Sequence, residues 1–112
     1  DFLPVREQLL KGALVTRIVL PSNARLAYTF AARTPADLPI VCVAVSQWSS
    51  GRTRIALGGW GKAPTLALDG PDASGAQVAA ENVCMLAGDE WASAEYRQHA
   101  AGVLTARCLT TD

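Results

Sequence analysis

The chain has 112 residues, ten basic against ten acidic, and half of its side chains are hydrophobic. One domain of that length buries roughly 60–65% of its unfolded surface. A neutral chain carries no electrostatic footprint for nucleic acid or an anionic membrane, and the longest apolar run, Ile40 to Val45, is far too short to span a bilayer. No secretory leader is evident. The opening on Asp1 rather than Met leads to the expectation that the natural N-terminus has been cut or omitted.

In chain order, Phe2 to Lys11 reads as a short helical lead-in or as the last piece of a preceding domain. Ala13 to Leu20 reads as a strand that stops at the turn signal Pro21-Ser22-Asn23. Arg25 to Arg33 alternates loosely through Leu26, Tyr28 and Phe30. Pro39 to Trp48 is a β-branched run, followed by Ser49-Ser50-Gly51 and a further run from Arg52 to Trp60. A short glycine-containing connection between two such runs predicts a hairpin. The near-continuous apolarity of Ile40 to Val45 predicts a central strand, buried on both faces or on one face with a partner on the other.

The rest of the chain, 72–112, reads as helical. Ser74-Gly75-Ala76-Gln77 has the spacing of a capping box, and Gly88 is placed to end that helix in a left-handed cap. Asp89 is expected to cap the next helix, running through Trp91 to about Leu109. There Tyr96, Ala100, Val103, Leu104 and Cys108 share one face at 3.6 residues per turn, with Glu95, Gln98 and Arg97 pointing elsewhere. Strands followed by helices, without βαβ alternation, indicate an α+β fold.

Chemistry-bearing patterns are scarce. Cys42, Cys84 and Cys108 form no C-x-x-C pair and read as small buried hydrophobes in a reducing compartment, which points to the cytoplasm. His99 has Glu95 one turn before it but no nucleophile near, and reads as a surface residue. Gly58-Gly59-Trp60-Gly61-Lys62 lacks both the first glycine and the hydroxyl residue of a phosphate loop. Its glycines are expected to mark a bend or a close backbone approach. Asp89 and Glu90 read as partners of a helix dipole. Arg33 and Asp37 bracket Thr34-Pro35-Ala36 and could clamp a turn. No catalytic constellation and no metal site is indicated.

The order of pieces carries a resemblance. Gly12-Ala13-Leu14-Val15-Thr16-Arg17-Ile18-Val19-Leu20-Pro21, Ala32-Arg33-Thr34-Pro35-Ala36-Asp37 with its following apolar strand, Arg54-Ile55-Ala56-Leu57-Gly58-Gly59 with Ala63-Pro64-Thr65, and Ala92-Ser93-Ala94-Glu95-Tyr96-Arg97 with Val103-Leu104-Thr105-Ala106-Arg107 occur in sequence over residues 12–109. This series resembles the C-terminal domain of the FAD-binding (medium) subunit of molybdenum hydroxylases, the family of aerobic carbon monoxide dehydrogenase and xanthine dehydrogenase.

The resemblance implies a small antiparallel sheet of three or four strands covered by about three helices, occupying 12–112 after a lead-in over 1–11. It implies that preceding FAD-binding domains hold most of the cofactor. A molybdenum cofactor and iron–sulfur clusters would lie in partner subunits and deliver electrons to FAD and then to an acceptor. A strand of this domain would pass near the isoalloxazine ring, with Tyr28 and Thr29 at the matching, flavin-proximal positions. Three departures stand out. Thr29 occupies a position held by lysine in xanthine dehydrogenase-like members, Trp60-Gly61-Lys62 lengthens the Gly-Gly loop, and Leu66-Ala67-Leu68-Asp69-Gly70 replaces an acidic helix. The competing expectation is a stand-alone interaction module without flavin, using the apolar helix face and exposed Trp48, Trp60 or Trp91.

Overall fold

β-Branched and small residues build the centre of the molecule. In a computed structural model, which describes residues 6–110, four strands form one antiparallel meander: β1 (Ala24–Ala31), β2 (Val41–Trp48), β3 (Thr53–Gly58) and β4 (Thr65–Gly70), in spatial order β1-β2-β3-β4. The helices are α1 (Arg6–Leu10), α2 (Ala76–Val83) and α3 (Ala94–Thr110). This is the expected α+β arrangement of a small antiparallel sheet and three helices.

Period-2 alternation decides which face is buried. Val41, Val43 and Val45 of β2 and Ile55 and Leu57 of β3 are sealed beneath α2 and α3. From the helices come Ala76, Ala80, Cys84, Ala101, Leu104 and Cys108. The small residues bring the two helices close to the sheet and to each other, so the interior is aliphatic and thin. β3 and β4 pair with a bulge, Ile55 opposite Leu68 and Ala56 opposite Leu66. The extra residue is Ala67, and both Ala67 and Leu68 pack against the core.

Several expectations need correction. Ala13 to Leu20 is not a strand: it pairs with nothing in the sheet and is exposed throughout. Conversely, Thr65 to Gly70 is a strand, held by pairing to β3 although Leu and Ala give it little β preference. The α2 capping box does not form. Gly75 stands at the N-cap in a left-handed conformation with no side-chain cap, and Asp72 instead accepts the Ser74 amide at 2.8 Å. The helix ends at Val83 with Cys84 as its cap rather than at Gly88. α3 begins at Ala94, with Ser93 Oγ accepting the Tyr96 amide at 3.1 Å, so Trp91 lies before the helix. Of the expected lead-in, Arg6 to Leu10 is helical, and Phe2 to Val5 lie outside the described residues.

Candidate functional site

With helices on one side only, the other side of the sheet is open. The register places Leu26, Tyr28 and Phe30 of β1 on that open side, where all three are exposed. One row crosses the sheet as Tyr28, Ala44, Ala56 and Leu66, and the next as Phe30, Cys42 and Gly58. Bulky groups therefore stand at the margins and small ones in the middle, which makes a shallow apolar trough. The Tyr28 and Phe30 rings lie 6.0 Å apart at 33°. At the far end the surface turns polar: Asp69 takes ion pairs from Arg52 at 3.3 Å and Arg54 at 3.4 Å, and Arg52 also lies over the Trp48 ring.

Tyr28 and Thr29, adjacent on β1, point to opposite sides. Tyr28 is 61% exposed on the open face. Desolvation, followed by the charge and hydrogen bonding of Cys42, pushes its phenol above the ordinary tyrosine range. Thr29 is half-buried and lines a groove of about 590 Å³ with Arg25, Arg107 and Thr110. Arg25 closes that groove by donating to the α3 carbonyls of Cys108, at 2.7 and 3.1 Å, and Leu109. The cation thereby caps the helix C-terminus.

A second cavity of about 430 Å³ lies between the loop 32–40 and the loop before α3. Arg97, expected to point away from the core, is the residue that builds it: only 1% exposed, it donates from Nε to Ile40 O at 3.0 Å and from Nη1 to Asp89 Oδ1 at 2.9 Å and to Ala87 O. Asp89 is thus committed to Arg97 and to the amides of Trp91 and Ala92, rather than capping α3. The Arg97 hydrogen bond, then the Trp91 amide, holds the Asp89 carboxyl below the usual carboxylate range. Arg33 reaches Trp91 O at 3.0 Å and lies over the Trp91 ring instead of clamping Asp37, whose amide closes the turn on Thr34 O.

The remaining sequence candidates fall out as follows. Cys84 and Cys108 are buried free thiols; burial pushes Cys84 up to about 11, against the opposing charge of Arg97. Cys42 is only half-buried, on the open face. His99 and Glu95 are exposed. Gly59 has φ +112°, and a Cβ there would sit 2.5 Å from Ile40 O, so this glycine marks a close backbone approach. Trp60 packs against the core and Trp91 is exposed. Among the described residues no group of three or more His, Cys, Asp or Glu converges on a metal position, and no helix is long and apolar enough to cross a membrane. Arg97 was the functional-looking residue that periodicity hid. The signal that could have found it is its spacing from Ala101, Leu104 and Cys108, all on one face.

No family model and no curated protein matches the chain. Solved structures do. Reconstituted CO dehydrogenase from Oligotropha carboxidovorans aligns with a TM-score of 0.64 and 28% identity over 81% of this chain and 37% of that one. CO dehydrogenase from Hydrogenophaga pseudoflava, in a form lacking the Mo-pyranopterin moiety of the molybdenum cofactor, aligns with a TM-score of 0.62 and 24% identity over 80% and 37%. This is the fold of a molybdenum hydroxylase domain. Quinoline 2-oxidoreductase from Pseudomonas putida 86 shares it at a TM-score of 0.53 and 21% identity, over 80% of this chain and 36% of that one. The chain spans only 37% of the CO dehydrogenase chains that it matches.

Proposed function

We propose that this chain is the C-terminal domain of an FAD-binding oxidoreductase subunit of the molybdenum hydroxylase type, over 12–112. In this reading, partner subunits carry the molybdenum cofactor and iron–sulfur clusters, and preceding domains carry the glycine-rich FAD contacts. The observation that carries it is the match of the sheet and helices to CO dehydrogenase at 28% identity over 81% of the chain. Free thiols in all three cysteines agree with a cytoplasmic setting.

The residues present fit part of a flavin and not all of it. The exposed Tyr28 and Phe30 rings beside the Ala44–Ala56 floor suit one face or edge of a planar ring. Among the described residues the Gly58-Gly59 turn, closed by the Ile40 backbone, has no room to cradle a pyrophosphate. FAD, when bound, supplies an acceptor for electrons in pairs or singly. The role of this domain is to cover the ring and exclude water from it. Tyr28 approaches from the open face, and Thr29 shapes the strand edge from the groove on the other side.

The test is flavin in the natural full-length protein. Stoichiometric FAD released on denaturation is expected, and Tyr28→Ala is expected to keep most of that FAD while shifting its visible absorbance. A full-length protein without flavin would overturn the reading. It would favour the interaction module instead, for which the exposure of Leu26, Tyr28, Phe30 and Trp91 is the supporting observation.

A further inference from the structure

Between α1 and β1 runs a stretch whose composition and surroundings disagree. Leu14, Val15, Ile18, Val19 and Leu20 are 51–85% exposed. An isolated surface leucine is ordinary, but five large apolar side chains within seven residues are not. Every one of them favours extended structure or tolerates it, and none packs against the core.

We propose that Ala13–Leu20 is a β-strand lent to the sheet of another folded domain of the same polypeptide, and that it is buried there on both faces. Period-2 alternation puts Leu14, Thr16, Ile18 and Leu20 on one side of such a strand and Ala13, Val15, Arg17 and Val19 on the other. Both sides are mainly apolar. A strand that added to an antiparallel sheet with one wet face would show one polar side. The domain's own sheet is therefore the wrong host, since its second face is open. The local geometry agrees: Pro21-Ser22-Asn23 would let the segment fold back on β1, yet β1 ends the sheet and has β2 as its sole strand neighbour.

The host is identified by what it must supply. It needs a free pairing edge, because among the described residues the segment's backbone is tied to the chain before it by one bond, from the Ala13 amide to Leu10 O at 3.1 Å. It also needs apolar cover on both sides. Leu9 and Leu10 of α1 are exposed as well, so the surface to be covered continues into that helix. The solved chains with this fold have the length for such a domain, as this chain spans 37% of them. The proposal rests on the reading above only in requiring an adjoining domain, not in requiring flavin.

Hydrogen exchange followed by mass spectrometry on the natural full-length protein, with FAD content and molar mass measured on the same sample, tests it. Amides of residues 14–20 are expected to exchange about a thousandfold more slowly than an unstructured peptide, comparably to those of β2. Exchange at the rate of an open loop overturns the proposal. Slow exchange that appears only with self-association of the chain also overturns it and assigns the segment to a second copy. Slow exchange in a flavin-free monomer keeps the strand and removes the flavoprotein reading. Flavin with fast exchange does the reverse.

Discussion

A guanidinium with almost no contact to water is stable only if its donors are occupied, because desolvating a charge costs more than one ion pair returns. Arg97 meets that condition by taking acceptors from two separate stretches, Ile40 on one and Ala87 and Asp89 on the other. Its planar fork suits several oxygens at fixed angles, which an ammonium cannot reproduce. Arg97→Ala is expected to destabilise the domain by about 3 kcal/mol or more, since it strands buried carbonyls and removes the partner of Asp89. Arg97→Lys should recover only a minor part. Urea unfolding of both variants measures this, and a lysine variant with the wild-type midpoint would show that charge alone suffices.

Among the elements, the β3–β4 connection is the most constrained. Gly59 combines a positive φ with a backbone carbonyl where a Cβ would stand. Gly59→Ala is expected to cost about 1–3 kcal/mol and to loosen β2 at Val41, which thermal melts and amide exchange report. Elements with strong local signals were legible in the sequence. The valines of β2, the Ser-Ser-Gly turn and the long α3 all carry their period or turn residues on their face. β4 was not legible, because Leu-Ala-Leu prefers a helix and only pairing with Ile55 and Ala56 makes it a strand. Ala13–Leu20 fails in the opposite way: its residues favour a strand, yet no described strand pairs with it. At the site, Tyr28 and Thr29 are singled out by the resemblance rather than by the chain's own pattern, and the alternating strand presents only Tyr28 to the open face. Arg97 was missed since a charged residue is ordinarily assigned to the solvent face, and only its enclosure by two loops reverses that.

For the whole molecule, pH acts through the same cluster. The folded state holds the Asp89 carboxyl below its unfolded value, which lies at about 3.9. Its contribution is therefore fully present above that value and lost as pH falls through the folded one. Melting temperature is expected to drop below about pH 4, and Asp89→Asn should lower it at pH 6 while flattening the acid limb. Equal acid slopes in the two proteins would place the sensitivity elsewhere, for instance at Asp72, which the Ser74 amide also holds low.

The clasp between Arg25 and the last turn of α3 joins residues 83 and 84 positions apart. The meander, by contrast, is made entirely between neighbours in the chain. Short-range pairings close before long-range ones because the loops they fix are smaller. During synthesis the sheet's pairings are therefore expected to become available first, with Val43, Val45 and Ile55 uncovered until α3 has left the ribosome and Arg25 can seize its end. A premature stop even a few codons before Cys108 removes that latch, leaving a sheet with a loosely held lid that protein quality control would recognise.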